Sequence, residues 1–290
     1  MIEPILAKTI LSKVKEDRYF GLTYNLNLYR GCQHACIYCD SRSSCYQLGE
    51  LSHIRFKSNA LEILEKEIHS KRKKGTIGFG SMNDPYMPVE KHYELTRKAL
   101  GIIARYNFPV HIITKSKLVM RDIDLLKKIS DVYAAVSITI TTADDNLAKI
   151  IEPNAPLPTE RFEALKYLSD NGIYCGITLM PLLPFINDNE KNIVEIVVKA
   201  KQCGVKYIIP MLGLTLRDGS RAYFYKQLDL FFPGIKDMYI KTFENRYSCQ
   251  STKANILYKA LYNQLKEYEI PDKMQFYEQK DDIQLKLFPI

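Results

Sequence analysis

Extended apolar runs alternate with amphipathic helical stretches through the middle of this 290-residue chain. Strand-like runs fall at residues 23–30, 75–80, 109–114, 132–140, 173–180 and 205–211, and helical stretches at 58–72, 90–106, 120–130, 159–171 and 188–203. Strands that alternate with helices pair in parallel, because each helix returns the chain to the same sheet end and covers one face. Two of the helices end in Asp170-Asn171-Gly172 and Gln202-Cys203-Gly204, residues that tolerate a left-handed stop. About six strand-helix units predict an α/β fold, a partial (β/α)6 TIM-like barrel. In such folds ligands sit at the carboxyl ends of the strands, so polar residues just after each strand are the candidates for function.

A chain of this length can bury a large core without dividing. The pattern predicts an N-terminal segment at 1–19, a core at 20–220 and a helical C-terminal extension at 221–290. The extension is rich in Tyr and Phe and is expected to pack on the core. No repeat or low-complexity tract interrupts the order. No run of eighteen apolar residues is present, and the first twenty residues lack the order of a signal peptide. A cytoplasmic protein with no membrane partner is expected. The formal charge is +8, part of it in His69-Ser70-Lys71-Arg72-Lys73-Lys74. That block reads either as a phosphate contact or as a solvated helix end.

Cys32, Cys36 and Cys39 stand in the spacing Cys-x3-Cys-x2-Cys, three of seven cysteines within eight positions. The odd total and the scatter of Cys45, Cys175, Cys203 and Cys249 do not make a disulfide framework. Three thiolates in one short loop offer a cubane 4Fe-4S cluster three ligands and leave one iron open. The competing reading is a zinc site completed by His34 or Cys45. Zinc knuckles usually take two separated pairs of ligands, and no second pair is present. His34 reads as a hydrogen-bonding residue of the loop, and Cys175 and Cys203 as core packing.

After the second strand run come Gly80-Ser81-Met82-Asn83-Asp84-Pro85. Small residues there admit a ligand to the backbone, and Asn83 and Asp84 can accept from a cationic amine. The alternative is an ordinary Asn-Asp-Pro turn starting the next helix. Lys115, after the third strand run, is placed to pair with a carboxylate or to stay solvated.

Taken in order, several segments resemble the spore photoproduct lyase-like branch of the radical S-adenosylmethionine (SAM) enzymes, over roughly residues 20 to 215. They are Gly31-Cys32 through Cys39, Asn83 through Glu90, Thr114-Lys115-Ser116 with Arg121-Asp122, Val136 through Thr139 with Asp144, Glu152 through Pro156 ahead of Arg161, and Met180 through Asp188. The resemblance implies a barrel of the radical SAM type. It also implies a 4Fe-4S cluster held by Cys32, Cys36 and Cys39, with the fourth iron binding SAM. Tyr38 would then lie near the adenine, Asn83 and Asp84 at the methionine amino group, and Lys115 at its carboxylate. Thr139 would lie near the ribose or methionine, and backbone around Met180 along the adenine. Arg161 matches a family arginine, and a salt bridge to Glu152 explains it equally well.

The activity implied is reductive cleavage of SAM to a 5′-deoxyadenosyl radical that takes hydrogen from a substrate carbon. A reducing partner such as flavodoxin or ferredoxin and a nucleic-acid substrate are implied with it. The branch's hydrogen-donating cysteine is matched here by Ser81, whose O–H bond is too strong for that task. Asp40 stands where a tyrosine commonly follows the last cluster cysteine. The chain is therefore expected to act on something other than the branch's namesake lesion, with Cys45 either a replacement donor or a structural thiol. The absence of a second cysteine cluster argues against peptide-modifying auxiliary-cluster enzymes. A reading of another class is a non-catalytic zinc or iron-sulfur module that binds nucleic acid.

Overall fold

The computed structural model describes residues 1–279, so 280–290 of the expected extension lie outside the described residues. Six parallel strands lie side by side in chain order. They are β1 (Tyr24–Leu26), β2 (Ile77–Phe79), β3 (Val110–Thr114), β4 (Ala134–Thr139), β5 (Tyr174–Leu179) and β6 (Ile208–Pro210). The strand Leu11–Lys13 adds antiparallel to the outer edge of β1. The sheet is that of a partial parallel barrel, as the alternation of strands and helices predicts. β4, at its centre, is buried along its whole length and pairs with β3 from Val110↔Ala134 to Thr114↔Ile138. A strand covered on both faces needs a continuous apolar run, which Ala134 to Ile140 supplies apart from its hydroxyl-bearing residues.

The crossover helices are α1 (Ala60–His69), α2 (Leu95–Arg105), α3 (Ile123–Ser130), α4 (Asp145–Ile151), α5 (Pro158–Asp170) and α6 (Glu190–Cys203). Apolar stripes from these helices cover the sheet, such as Leu64 and Ile68 on α1 and Ile193, Ile196, Val197 and Ala200 on α6. Burying such side chains contributes about 1.5–3 kcal/mol each. Gly172 and Gly204 adopt the left-handed conformation expected of them, with φ of 78° and 73°.

Three elements differ from the sequence pattern. The run 23–30 divides, because Tyr29–Arg30 leaves the barrel to pair with Ile54–Lys57, which in turn pairs with Ile2–Ile5. The helix expected at 90–106 breaks at Glu94, which takes φ 53°. The cause is Glu90: its buried carboxylate accepts from the Thr96 and Arg97 amides at 3.0 and 3.3 Å and so caps a fresh helix there. α4 was not anticipated, although Asp144 marks its start by accepting from the Asn146 and Leu147 amides.

Beyond the barrel come α7 (Ser220–Phe231), α8 (Ile235–Phe243) and α9 (Ala254–Glu267). α9 packs on α6 and sends Leu257, Leu261 and Leu265 into the main core. α7 and α8 build a second apolar cluster in which Phe224, Leu228, Tyr239 and Phe243 meet Cys36, Ile37 and Tyr38. The N-terminal segment contributes two paired strands, Ile2–Ile5 and Leu11–Lys13. Among the described residues no helix is long and apolar enough to cross a membrane.

Candidate active site

The cysteine loop is held over the carboxyl ends of the strands by its own backbone. Gly31 opens it at φ 84°, where a Cβ would lie 2.6 Å from the His53 carbonyl and 2.7 Å from that of Leu51. Only glycine fits this passage. The Cys32 amide then donates to the Leu51 carbonyl at 2.8 Å and the Ile37 amide to Ile151 at 3.0 Å. Asn154 donates from its side chain to the Gln33 carbonyl at 3.0 Å, and the Gln33 side chain accepts from the Val89 amide at 2.7 Å. The loop is thus tied to three separate crossover segments.

Beneath it is a cavity of about 420 Å³ lined by Cys32, Cys36 and Cys39 on the loop side and by strand-end residues on the other. Those residues are Gly80 through Asp84 after β2, Ile113 to Lys115 at β3, Thr139 at β4, Met180 and Pro181 after β5, and Met211 after β6. Gly80, at φ 97°, lets β2 end against β3: a Cβ would lie 2.1 Å from the Ile113 carbonyl oxygen. The cavity therefore sits where a parallel barrel places its ligands.

Asp84 joins the loop to the barrel. Its carboxylate accepts from the Tyr86 amide at 2.9 Å, Thr114 Oγ1 at 2.7 Å and the Lys115 amide at 2.7 Å, and His34 Nδ1 lies 3.3 Å away. Both oxygens are engaged, so Asp84 positions its neighbours in this structure. Asn83 donates from Nδ2 to the Tyr29 carbonyl at 2.6 Å, which leaves its Oδ1 as the acceptor. Burial, opposed by Asp84, lowers the His34 pKa and favours the neutral ring. His34 thus faces Asp84 from within the loop.

Glu152, at the carboxyl end of α4, is the other anchor. It accepts from the Tyr38 hydroxyl and lies 2.5 Å from Arg161 and 4.0 Å from Lys115 Nζ. Burial raises its pKa, but Arg161 and Lys115 outweigh this and leave it lowered. Arg161 is spent on this pair, on the Thr139 carbonyl at 3.0 Å and on the Pro156 carbonyl at 2.7 Å, and it is absent from the cavity lining. The salt bridge to Glu152 that the sequence offers as an explanation of Arg161 is thus present. Lys115 differs: its Nζ has only the 4.0 Å approach to Glu152 and lies 5.7 Å from the Tyr38 ring centroid, facing the cavity. Burial lowers its pKa, and Cys36 and Glu152 together more than offset this, so it stays cationic.

Cys45 is exposed and accepts a 3.5 Å contact from Arg217 Nη1, outside the cavity lining. Neither a donor facing the cavity nor a partly buried thiol describes it. The neighbouring Tyr46 lines the cavity instead, its hydroxyl 3.2 Å from Asp40 Oδ2. Cys175 and Cys203 are buried in the core as expected. Leu214 and Thr215 also line the cavity and were missed, because their short strand pairs with Ser248–Gln250 far along the chain.

Cys32, Cys36 and Cys39 line one cavity, a donor set that suits a cubane in which each thiolate takes a different iron. Burial, then Asp84, pushes the Cys32 thiol up to about 12 and burial also raises Cys36. Such thiols become thiolates when metal cations replace their protons.

The sequence matches the Radical SAM superfamily over residues 26–214. The chain belongs to that superfamily. An enzyme of the radical SAM superfamily implies a 4Fe-4S cluster and SAM, and the residues here fit both. Over 178 residues it is 39% identical to an uncharacterized protein of Methanocaldococcus jannaschii, covering 60% of this chain and 66% of that one. The chain thus spans just under two thirds of that relative. A radical SAM Nalpha-GlyT isomerase of Pseudomonas phage M6 is 24% identical over 166 residues, 57% of this chain and 34% of that one. In fold, the chain resembles spore photoproduct lyase complexed with dinucleoside spore photoproduct. The TM-score is 0.70 at 14% identity, covering 94% of this chain and 82% of that one. The fold neighbour is the one named by the motif order.

Proposed function

We propose that Cys32, Cys36 and Cys39 ligate the cluster and that the cavity beneath them seats SAM and the reacting part of the substrate. The observation that carries this reading is that all three cysteines and the ends of β2 to β6 line one cavity. When bound, the cluster and SAM supply one-electron cleavage of the sulfonium, yielding methionine and a 5′-deoxyadenosyl radical that takes hydrogen from carbon.

The chain's own residues bind, orient and exclude water. Lys115, cationic and with no closer partner than 4.0 Å, is the group to hold the methionine carboxylate. Asn83 Oδ1 is the acceptor for its amine, while Asp84 fixes the backbone of Lys115 and the side chain of Thr114. Tyr38 and Met180 form apolar walls suited to the adenine, and Thr139, the last residue of β4 and hydrogen-bonded to Thr178 at 2.8 Å, lines the same cavity. α7 and α8 close the loop from behind with aromatic side chains, which keeps water from the cluster side.

Enzymes of this superfamily need a reductant, and a flavodoxin or ferredoxin is the partner we assign. Nucleic acid is the substrate class we favour. Two observations support it: the charge of +8, and a fold neighbour complexed with a dinucleoside lesion. Ser81, exposed at the cavity with its hydroxyl 3.5 Å from Asn27 Oδ1, separates this chain from a cysteine-dependent lyase.

The test is iron and sulfide content after anaerobic reconstitution, with paramagnetic resonance of the reduced protein. The reading requires about four irons per chain and a cluster signal that changes when SAM is added. A cluster signal indifferent to SAM would reject it.

A further inference from the structure

Beside the main cavity is a second of about 250 Å³, lined by Arg30, Lys57, Asn27 and Asn83 and by no carboxylate. It shares Tyr46, Met82 and Asn83 with the main cavity, so the two adjoin through one wall.

The backbone explains why two cations meet there. Tyr29–Arg30 runs antiparallel to Ile54–Lys57, with Arg30 directly opposite Arg55, and the Lys57 amide donates to the Leu28 carbonyl at 3.0 Å. Side chains alternate along a strand, so Arg30, Arg55 and Lys57 belong to one face. Like charges facing across a strand pair destabilise the fold unless an anion joins them.

No carboxylate among the described residues does so. Among the described residues Arg30 makes one long hydrogen bond, from Nη2 to the Tyr46 carbonyl at 3.4 Å, and Lys57 Nζ has no hydrogen-bond or ion-pair partner. Two arginines near the site do have carboxylate partners: Arg121 is 2.7 Å from Glu90 and Arg161 is 2.5 Å from Glu152. Burial, then the neighbouring Arg30, lowers the Lys57 pKa, and Glu67 opposes them only in part, its carboxylate being taken by the Ile10 and Leu11 amides.

We propose that Arg30 and Lys57 form a phosphate-binding site for the substrate. A guanidinium fork, an ammonium and a carboxamide provide donors for several oxygens of one tetrahedral anion, more than a single carboxylate uses. The site deepens the substrate reading above and rests on it. A phosphate seated between Arg30 and Lys57 holds the adjoining part of the same molecule past Met82 and Asn83, over the main cavity.

The experiment uses the cluster-loaded chain without reductant, so no turnover is needed. Fluorescence anisotropy follows binding of a labelled oligodeoxyadenylate of about ten nucleotides across a salt series, with inorganic phosphate as competitor. Joint replacement Arg30→Gln and Lys57→Gln is expected to weaken binding at least about tenfold and lower the salt slope by about 0.7, one single-strand phosphate contact. Lys57→Arg alone should bind as the parent does, which guards against misfolding as the cause. Competition by inorganic phosphate in the parent and its loss in the double variant identify a terminal monoester. Weakened oligonucleotide binding without such competition identifies a backbone diester. Equal affinity and equal slope in parent and double variant overturn the site, as does a parent that binds neither probe. Iron content and SAM cleavage are read separately, so their failure would remove the enzyme reading and leave this result standing.

Discussion

Arg161 Nη2 lies 2.5 Å from Glu152 Oε2, and neither side chain is more than 1% exposed. Glu152 also receives the Tyr38 hydroxyl, so the pair carries the cysteine loop at one remove. A buried ion pair adds little over an apolar pair, but removing one partner strands the other, which costs about 3–5 kcal/mol. Arg161→Met should therefore lower unfolding free energy by about that amount in anaerobic urea titration. A variant of unchanged stability and weakened SAM binding would instead return Arg161 to the cofactor.

Asp84 accepts from two backbone amides and a threonine hydroxyl in a buried setting. Asp84→Ala leaves those donors without partners, at about 1–3 kcal/mol each. The variant should melt at lower temperature and retain less iron per chain. A wild-type melting temperature with weakened SAM binding alone would show a ligand contact and no positioning role.

Lys115 is the cation facing the cavity with no partner closer than 4.0 Å. Lys115→Met keeps its length and apolar stem. It should weaken SAM binding by about tenfold or more, the loss of one charge-assisted hydrogen bond of about 1.5–3 kcal/mol, with iron content unchanged. Unchanged SAM affinity rejects the carboxylate role.

His111 is fully buried within the barrel, its Nε2 2.8 Å from Ser137 Oγ, which is 2.7 Å from the Tyr207 hydroxyl. Burial drives its pKa down to about 3. The unfolded chain takes up this proton below about pH 6.5, and the folded chain does so only near 3. The stability contributed by the neutral ring is thus complete above about 6.5. It falls with decreasing pH between those values, by up to about 1.4 kcal/mol per unit. Comparing urea midpoints at pH 7 and pH 5, the parent should lose more stability than His111→Gln. Parallel losses would assign the titration to another group.

Much of the fold is legible in the chain because β3 to β6 and their helices carry local signals: apolar strands, amphipathic stripes and glycine stops at 172 and 204. The cysteine spacing and the strand-end positions of Asn83, Asp84, Lys115 and Thr139 likewise lead to one cavity. What escaped the sequence depends on distant contacts. The break at Glu94 follows from a carboxylate that also receives Tyr29 and Arg121. Leu214 reaches the cavity through a strand partner 35 residues away, Cys249. The phosphate-site cations meet because Arg30 and Lys57 leave the barrel together on paired strands. Arg161 matched the motif, but its surroundings, not the motif, determine what it holds.

The most direct test is product analysis of the reconstituted, reduced chain incubated with SAM. The account predicts 5′-deoxyadenosine and methionine, and their loss when Cys32, Cys36 or Cys39 is replaced by Ala. A colourless protein with stoichiometric zinc and no 5′-deoxyadenosine, or a cysteine variant that still cleaves SAM, would contradict it.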